Sequence, residues 1–292
     1  MASGDTFTST VSEGLPTTIA SARTTREYPA DVMLKACTLE TLTEGTGTSW
    51  REFLAAQLTA SHYGETDIID NPQAIDGSIL SATPQLASIQ TFIGKRVAAR
   101  LDKKAFGTFG QLAQQAIQRL KAQDGIGIFA TFTTTLAGTG TTLTSGHIMA
   151  GVRRITSDAD EPGPLPVVAV LHGFQIHDLQ TEILSGIGTY NIPEGYTQDT
   201  FMQGFVGRIQ GAQVWEEGLI AIDSTPDAIG GVFSKYAVLC VQGMKPWTET
   251  KAAPEKGYGG DYVWLKDEYT FVERSAGNMA YAVKSDATVP TS

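Results

Sequence analysis

Cysteine and histidine are scarce in this chain: Cys37, Cys240, His62, His147, His172 and His177 are all that its 292 residues contain. The stretch that comes nearest to a catalytic arrangement is Val167-Val-Ala-Val-Leu-His172-Gly173-Phe174. An apolar strand run ending in His-Gly is the kind of segment that offers backbone N–H groups to an oxyanion in acyl-transfer enzymes. That chemistry also needs a serine in a Gly-x-Ser-x-Gly turn, followed by an acid and then a histidine. No such turn occurs. Glu273-Arg-Ser275-Ala-Gly277 lacks the first glycine, and no histidine follows His177. The Ser, acid, His order of that hydrolase chemistry cannot be assembled.

Metal and phosphate chemistry fare no better. His172 and His177 are five apart, off the three- and four-residue steps that put two ligands on one helix face. Asp158, Asp160 and Glu161 open like a calcium loop but lack its glycine and its terminal glutamate. No glycine-rich loop leads into Lys-Ser or Lys-Thr. The residues therefore predict no catalytic site, no metal and no cofactor. They read as capping and surface groups.

Composition narrows the classes further. No apolar run reaches the roughly 20 residues of a membrane helix, and the first residues lack the basic-then-apolar layout of a signal peptide. Two cysteines cannot make a disulfide framework, and a reducing compartment is the simpler expectation. Lys and Arg number 21 against 31 Asp and Glu, a net charge of −10. Direct gripping of nucleic acid is disfavoured, because that affinity comes mostly from basic groups on phosphates.

The element that positions the rest is 102–124. Phe106, Phe109, Leu112, Ala113, Ala116, Ile117 and Leu120 recur at three- and four-residue steps, with Gln114, Gln115, Gln118, Arg119 and Lys121 opposite. This is an amphipathic helix about 30 Å long, with Gly125 as a stop or kink. Before it, residues 1–30 are Thr-, Ser- and Gly-rich, and Pro29–Leu39 reads as a short helix offering Val32, Leu34 and Leu39 for burial. Residues 44–94 form an extended excursion, two long strands with a polar tip, although Trp50–Leu58 fits a helix as well. Its apolar residues Trp50, Phe53, Leu54, Leu58, Ile68, Ile69, Ile75, Ile79 and Leu80 would stay wet in a lone chain, which points to a partner. After the helix come a short helix from Thr144 to Val152 and a strand from Pro166 to Leu171. A helix from Phe174 to Leu184 follows, with Ile176, Leu179 and Ile183 on one face. Gly207–Ile220 and Ser234–Gln242 read as strands, and Tyr269–Arg274 with Met279–Val283 as a closing hairpin across Ser275–Asn278.

Arm, extended loop, long helix, α/β lobe and returning strands, in that order, resemble the major capsid protein of tailed bacteriophages, the Hong Kong 97 phage fold shared with encapsulin shells. The residues that carry the resemblance span nearly the whole chain: Trp50 through Glu65-Thr66, Asn71-Pro72-Gln73 and Thr83-Pro84; Gln111–Asp124; Val170-Leu-His-Gly-Phe-Gln175-Ile-His-Asp178; Gly207-Arg-Ile-Gln-Gly-Ala-Gln-Val214; and Glu273–Asn278. The resemblance implies an α+β fold with arm 1–43, extended loop 44–94, and a peripheral domain 95–138 holding a spine helix packed through Phe106, Phe109, Leu112, Ala116, Ile117 and Leu120. It further implies an axial domain 139–200, peripheral strands 201–225, an axial return 226–260, and peripheral strands with the C-terminus over 261–292.

The implied function is structural: hexamers and pentamers closing an icosahedral shell around viral double-stranded DNA, located in the virion and assembled in the host bacterial cytoplasm. Loop residues Trp50 to Leu80 would make the contacts between subunits. Portal and a separate scaffolding protein are the implied partners, a decoration protein stays open, and neither a membrane nor sequence-specific DNA contact is expected. Net acidity accords with an inner wall that repels packed DNA. Some family members weld subunits through a lysine in the extended loop, whereas 44–94 holds no lysine, so a non-covalent shell is expected. An encapsulin-like compartment is the alternative function, and an α/β-type hydrolase using His172 the remote one.

Overall fold

A computed structural model of the chain describes residues 32–43, 47–55, 58–66, 72–99, 103–158, 162–186, 207–209, 211–257, 259–274 and 278–291, with backbone alone for 103–109, 111 and 183–186. Two sheets organise these residues, and the long helix joins them.

The first sheet grows around the most apolar run of the sequence. Val167–Leu171 (β6) is buried at all five positions, as expected of a strand covered on both faces. Its neighbours are Ala212–Glu216 (β8), parallel, and Asp227–Ser234 (β9), antiparallel. Arg208–Ile209 (β7) turns into β8 through Gly211, whose φ of +98° suits glycine. Ala280–Asp286 (β13) pairs with β9, and Thr135–Ala137 (β5) closes the order β5-β13-β9-β6-β8-β7. Alternation in β6 sends Val167, Ala169 and Leu171 to one side, against Ile148, Val152 and Ile155 of helix α4 (Ser145–Thr156) and Ile176 and Leu179 of α5 (Gly173–Gly186). Val168 and Val170 face the other side, where Phe129, Phe132, Phe233, Met33 and Ala36 fill the core.

The second sheet is organised by one 14-residue strand, Gly260–Glu273 (β12). Gln85–Gly94 (β4) runs antiparallel along one edge of it, in register from Gly260↔Gly94 to Tyr269↔Gln85. Trp247–Ala252 (β11) and Val238–Gln242 (β10) occupy the other edge in turn, and Thr38–Thr41 (β1) adds to β10 in parallel. Lys95–Ala98 (α2) leads from β4 towards the long helix α3, Lys103–Gly127, of 25 residues and about 37 Å. A 3₁₀ turn, Ile128–Thr131, continues α3 and carries Phe129 into the first sheet's core.

The long helix, the 145–156 helix, the buried strand and the 173–186 helix stand where the sequence places them. Four expectations change. Gly125 does not stop α3; it lies within it, where a Cβ would meet Met33 at 3.0 Å and Phe271 at 3.2 Å, so glycine allows a close crossing. Helix α1 spans Val32–Ala36, with Leu39 already in β1 and 59% exposed; Val32 and Leu34 pack half-buried against the core, and Met33 and Ala36 are buried in it. The run Ser234–Gln242 is divided, with Ser234 ending β9 and β10 starting at Val238. The proposed closing hairpin does not form: β12 pairs with β10 and β13 with β9, so the chain passes from one sheet to the other between them. Through their own pairing, β7 and β8 stand beside β6 in the first sheet.

Candidate assembly surface

The His172 segment is a brace, built from the end of β6 and the first turn of α5. Burial leaves His172 9% exposed and Gln175 fully enclosed. His172 Nδ1 accepts the Phe174 N–H at 3.1 Å, and the His172 N–H donates to Gln175 Oε1 at 3.0 Å. Gln175 Nε2 donates to the Ala228 carbonyl at 3.0 Å and to Ser285 Oγ at 2.8 Å. One glutamine thus ties the start of α5 to β9 and β13. Burial holds the His172 pKa below its ordinary 6.5, which keeps the ring neutral and Nδ1 free to accept.

The remaining histidines and the cysteines sit in a cap, a helix, solvent or the core. His147 caps α4, its Nδ1 accepting the Thr144 N–H at 3.2 Å, and His62 is exposed. The His177 carbonyl accepts the Thr181 hydroxyl. Cys37 and Cys240 are each 1% exposed, and burial pushes their thiols up to about 12 and about 11, so thiolate is scarce at neutral pH. Among the described residues no group of three His, Cys, Asp or Glu side chains could hold a metal ion. Asp160 and Glu161 lie outside the described residues.

What the fold leaves open is an apolar projection. Trp50–Ala55 (β2) and Gly77–Ala82 (β3) pair antiparallel as a two-stranded sheet of their own, which gives strand rather than helix to most of 50–58. Alternation splits the two faces. Trp50, Glu52 and Leu54 are half-buried beside Leu80 and the buried Ala82, and Glu52 Oε2 accepts from Arg274 Nε at 2.8 Å, pinning the hairpin to the end of β12. On the other face Phe53 and Ile79, directly opposite each other, are 55% and 67% exposed. Leu58 and Ile75, beyond the strand ends, are 62% and 72% exposed, and Tyr63 is 52% exposed. Ile68 and Ile69 lie outside the described residues.

A two-stranded hairpin is marginal on its own in water. Side-by-side exposed apolar residues on a projecting ribbon mark a contact surface more than scattered ones do, and both outer edges of the ribbon lack a strand partner among the described residues.

Along α3, Ile117 is buried, Leu112 and Ala113 are half-buried, Ala116 is exposed and Leu120 is 42% exposed. The Phe106 and Phe109 side chains are outside the description. Sequence periodicity missed Lys121, which is 7% exposed; its partner Asp267 lies 146 positions away, beyond any local pattern.

Comparison of this architecture with solved structures finds phage capsids. The chain matches the capsid of cyanophage P-SCSP1u at TM-score 0.68 and 12% identity, covering 90% of each chain. The chain has a phage capsid fold. The capsid of Ralstonia phage GP4 matches at TM-score 0.68 and 11% identity over 88% of each chain. Mycobacterium phage Che8 matches at 0.62 and 15% identity, over 88% of this chain and 93% of that one. No protein-family model and no curated protein matches the sequence.

Proposed function

We propose that this chain is a major capsid protein of a tailed phage, a structural subunit without enzymatic activity. Copies of it assemble as hexamers and pentamers into an icosahedral shell around double-stranded DNA. The observation that carries this reading is the capsid fold, shared over about nine-tenths of both chains. The exposed Phe53–Ile79 face gives the fold a physical reason to assemble. On this reading 44–94 is the loop that reaches a neighbouring subunit, with Trp50, Phe53, Leu54, Leu58, Ile68, Ile69, Ile75, Ile79 and Leu80 among its contacts. The β12 sheet with α3 forms the peripheral part, and the β6 sheet with α4 and α5 the axial part.

Partners on the same reading are a portal and a separate scaffolding protein, with the virion as destination and the host cytoplasm as the place of assembly. The excess of acidic residues would keep the inner wall from binding the packaged DNA. Light scattering and negative-stain microscopy test the proposal, first on the chain alone and then with its neighbouring genes co-expressed. Closed shells, or rings of five and six, are the expected result. A stable monomer under both conditions would refute it.

A further inference from the structure

A charged residue occupies the middle of the buried stripe of α3 while a leucine beside it faces water. Lys121 is 7% exposed and Leu120, about 100° around the helix, is 42% exposed. Hydrophobicity alone would favour the opposite setting. Lys121 Nζ lies 2.6 Å from Asp267 Oδ2, with the two side chains 9% and 3% exposed. It donates to Gln242 Oε1 at 3.1 Å and sits 4.9 Å from the centre of the Tyr269 ring. Gln242 Nε2 donates to Asp267 Oδ1 at 2.5 Å, and Tyr269 OH donates to Asp124 Oδ2 at 2.7 Å, one turn further along α3. Strands β10 and β12 thus present a carboxylate, an amide oxygen and an aromatic face around one ammonium group.

A buried ion pair adds little net stability, because desolvation cancels most of its Coulomb gain. It is exacting about position, since a buried ammonium group is satisfied in one place only and any other setting leaves a buried carboxylate without its counter-charge. We infer that the Lys121–Asp267 pair, completed by Gln242, sets the rotation of α3 on the sheet and keeps Leu120 turned outward. There Leu120 lines an open cavity of about 270 Å³ with Leu86, Gln85 and Phe271. The consequence for assembly rests on the capsid reading: a helix held in one rotation gives every subunit the same outer face, and shells of one diameter follow.

The rotation is read by a thiol at position 120. In unassembled Leu120→Cys protein, with the native cysteines buried, maleimide labelling is expected to be as fast as at an exposed His62→Cys control. Adding Lys121→Ser with Asp267→Ala removes the charges that fix the setting without making position 121 apolar. Labelling at 120 is then expected to slow at least twofold with an unchanged far-ultraviolet spectrum, and an unchanged rate overturns the inference. Should that variant fail to fold, Asp267→Asn replaces it. Lys121 then loses its counter-charge and is expected to become reactive to an amine-acylating reagent in peptide mapping; continued protection overturns the inference. Shell diameter is scored separately, with one size expected from the wild type and a spread from Lys121→Ser/Asp267→Ala. Uniform shells from that variant overturn the assembly consequence. Wild-type protein that forms no shells counts against the proposed function and leaves the labelling result standing.

Discussion

Gln175 shows how much one buried amide can hold together. It accepts from one backbone N–H and donates to a carbonyl and a hydroxyl, reaching from the turn before α5 to two strands. Gln175→Leu keeps the approximate volume and strands those three groups in a dry core. An unsatisfied buried polar group costs roughly 1–3 kcal/mol, so the variant is expected to lose at least about 2 kcal/mol in urea unfolding of the unassembled chain. His172, beside it, predicts a pH dependence. Burial lowers its folded pKa below 6.5, so just below pH 6.5 the unfolded chain binds a proton that the folded chain refuses. The contribution is therefore complete above pH 6.5 and is lost as pH falls towards the folded value. His172→Asn should flatten that part of the stability–pH curve, and parallel curves for the two proteins would exclude it. Gly125→Ala places a methyl group 3.0 Å from Met33 and 3.2 Å from Phe271. Overpacking of this kind costs typically about 1–3 kcal/mol, set against about 1 kcal/mol that alanine gains over glycine inside a helix, so a modestly lower urea midpoint is expected.

Among the described residues, the helices on the first sheet and the β2–β3 ribbon differ in how far they complete themselves. Helices α4 and α5 bury their apolar stripes on β6 and its neighbours, whereas the β2–β3 ribbon buries one face in part and leaves Phe53 and Ile79 in water. Phe53→Asp with Ile79→Asp is expected to cost the unassembled chain about 1 kcal/mol, because the two carboxylates stand directly opposite each other, and to leave it folded. The same pair should abolish shell formation, because two carboxylates would be buried without partners at an interface. Shells of normal yield from that variant would remove the ribbon from the contact. Periodicity made α3 legible, through Leu112, Ala116, Ile117 and Leu120, but not its rotation. β9 is broken by Gly230-Gly231, which weakens any strand pattern there, yet Gly231 provides the flat site where a Cβ would strike the Phe129 ring at 2.8 Å.

For the whole molecule, the proposed shell is held by buried surface and polar contacts. Residues 44–94 hold no lysine, so the loop offers no amine for a covalent weld. Mature particles boiled in SDS are expected to release single subunits; ladders of covalent multimers would contradict this.

The sequence by itself determined the order of segments, the long helix, the buried strand with its following helix, and the lack of a hydrolase triad in chain order. Each of these rests on local periodicity or on which residue types are present, and both are written within a few turns of chain. Only the tertiary structure decided that β12 and β13 part company into different sheets, that β7 and β8 join β6, and that Lys121 goes in while Leu120 stays out. Strand pairing and helix rotation depend on partners tens to more than a hundred residues away, such as Ala212 for Val167, Asp267 for Lys121 and Ser285 for Gln175. No local pattern carries that information, because the free energy that chooses among settings exists only once the distant groups have met.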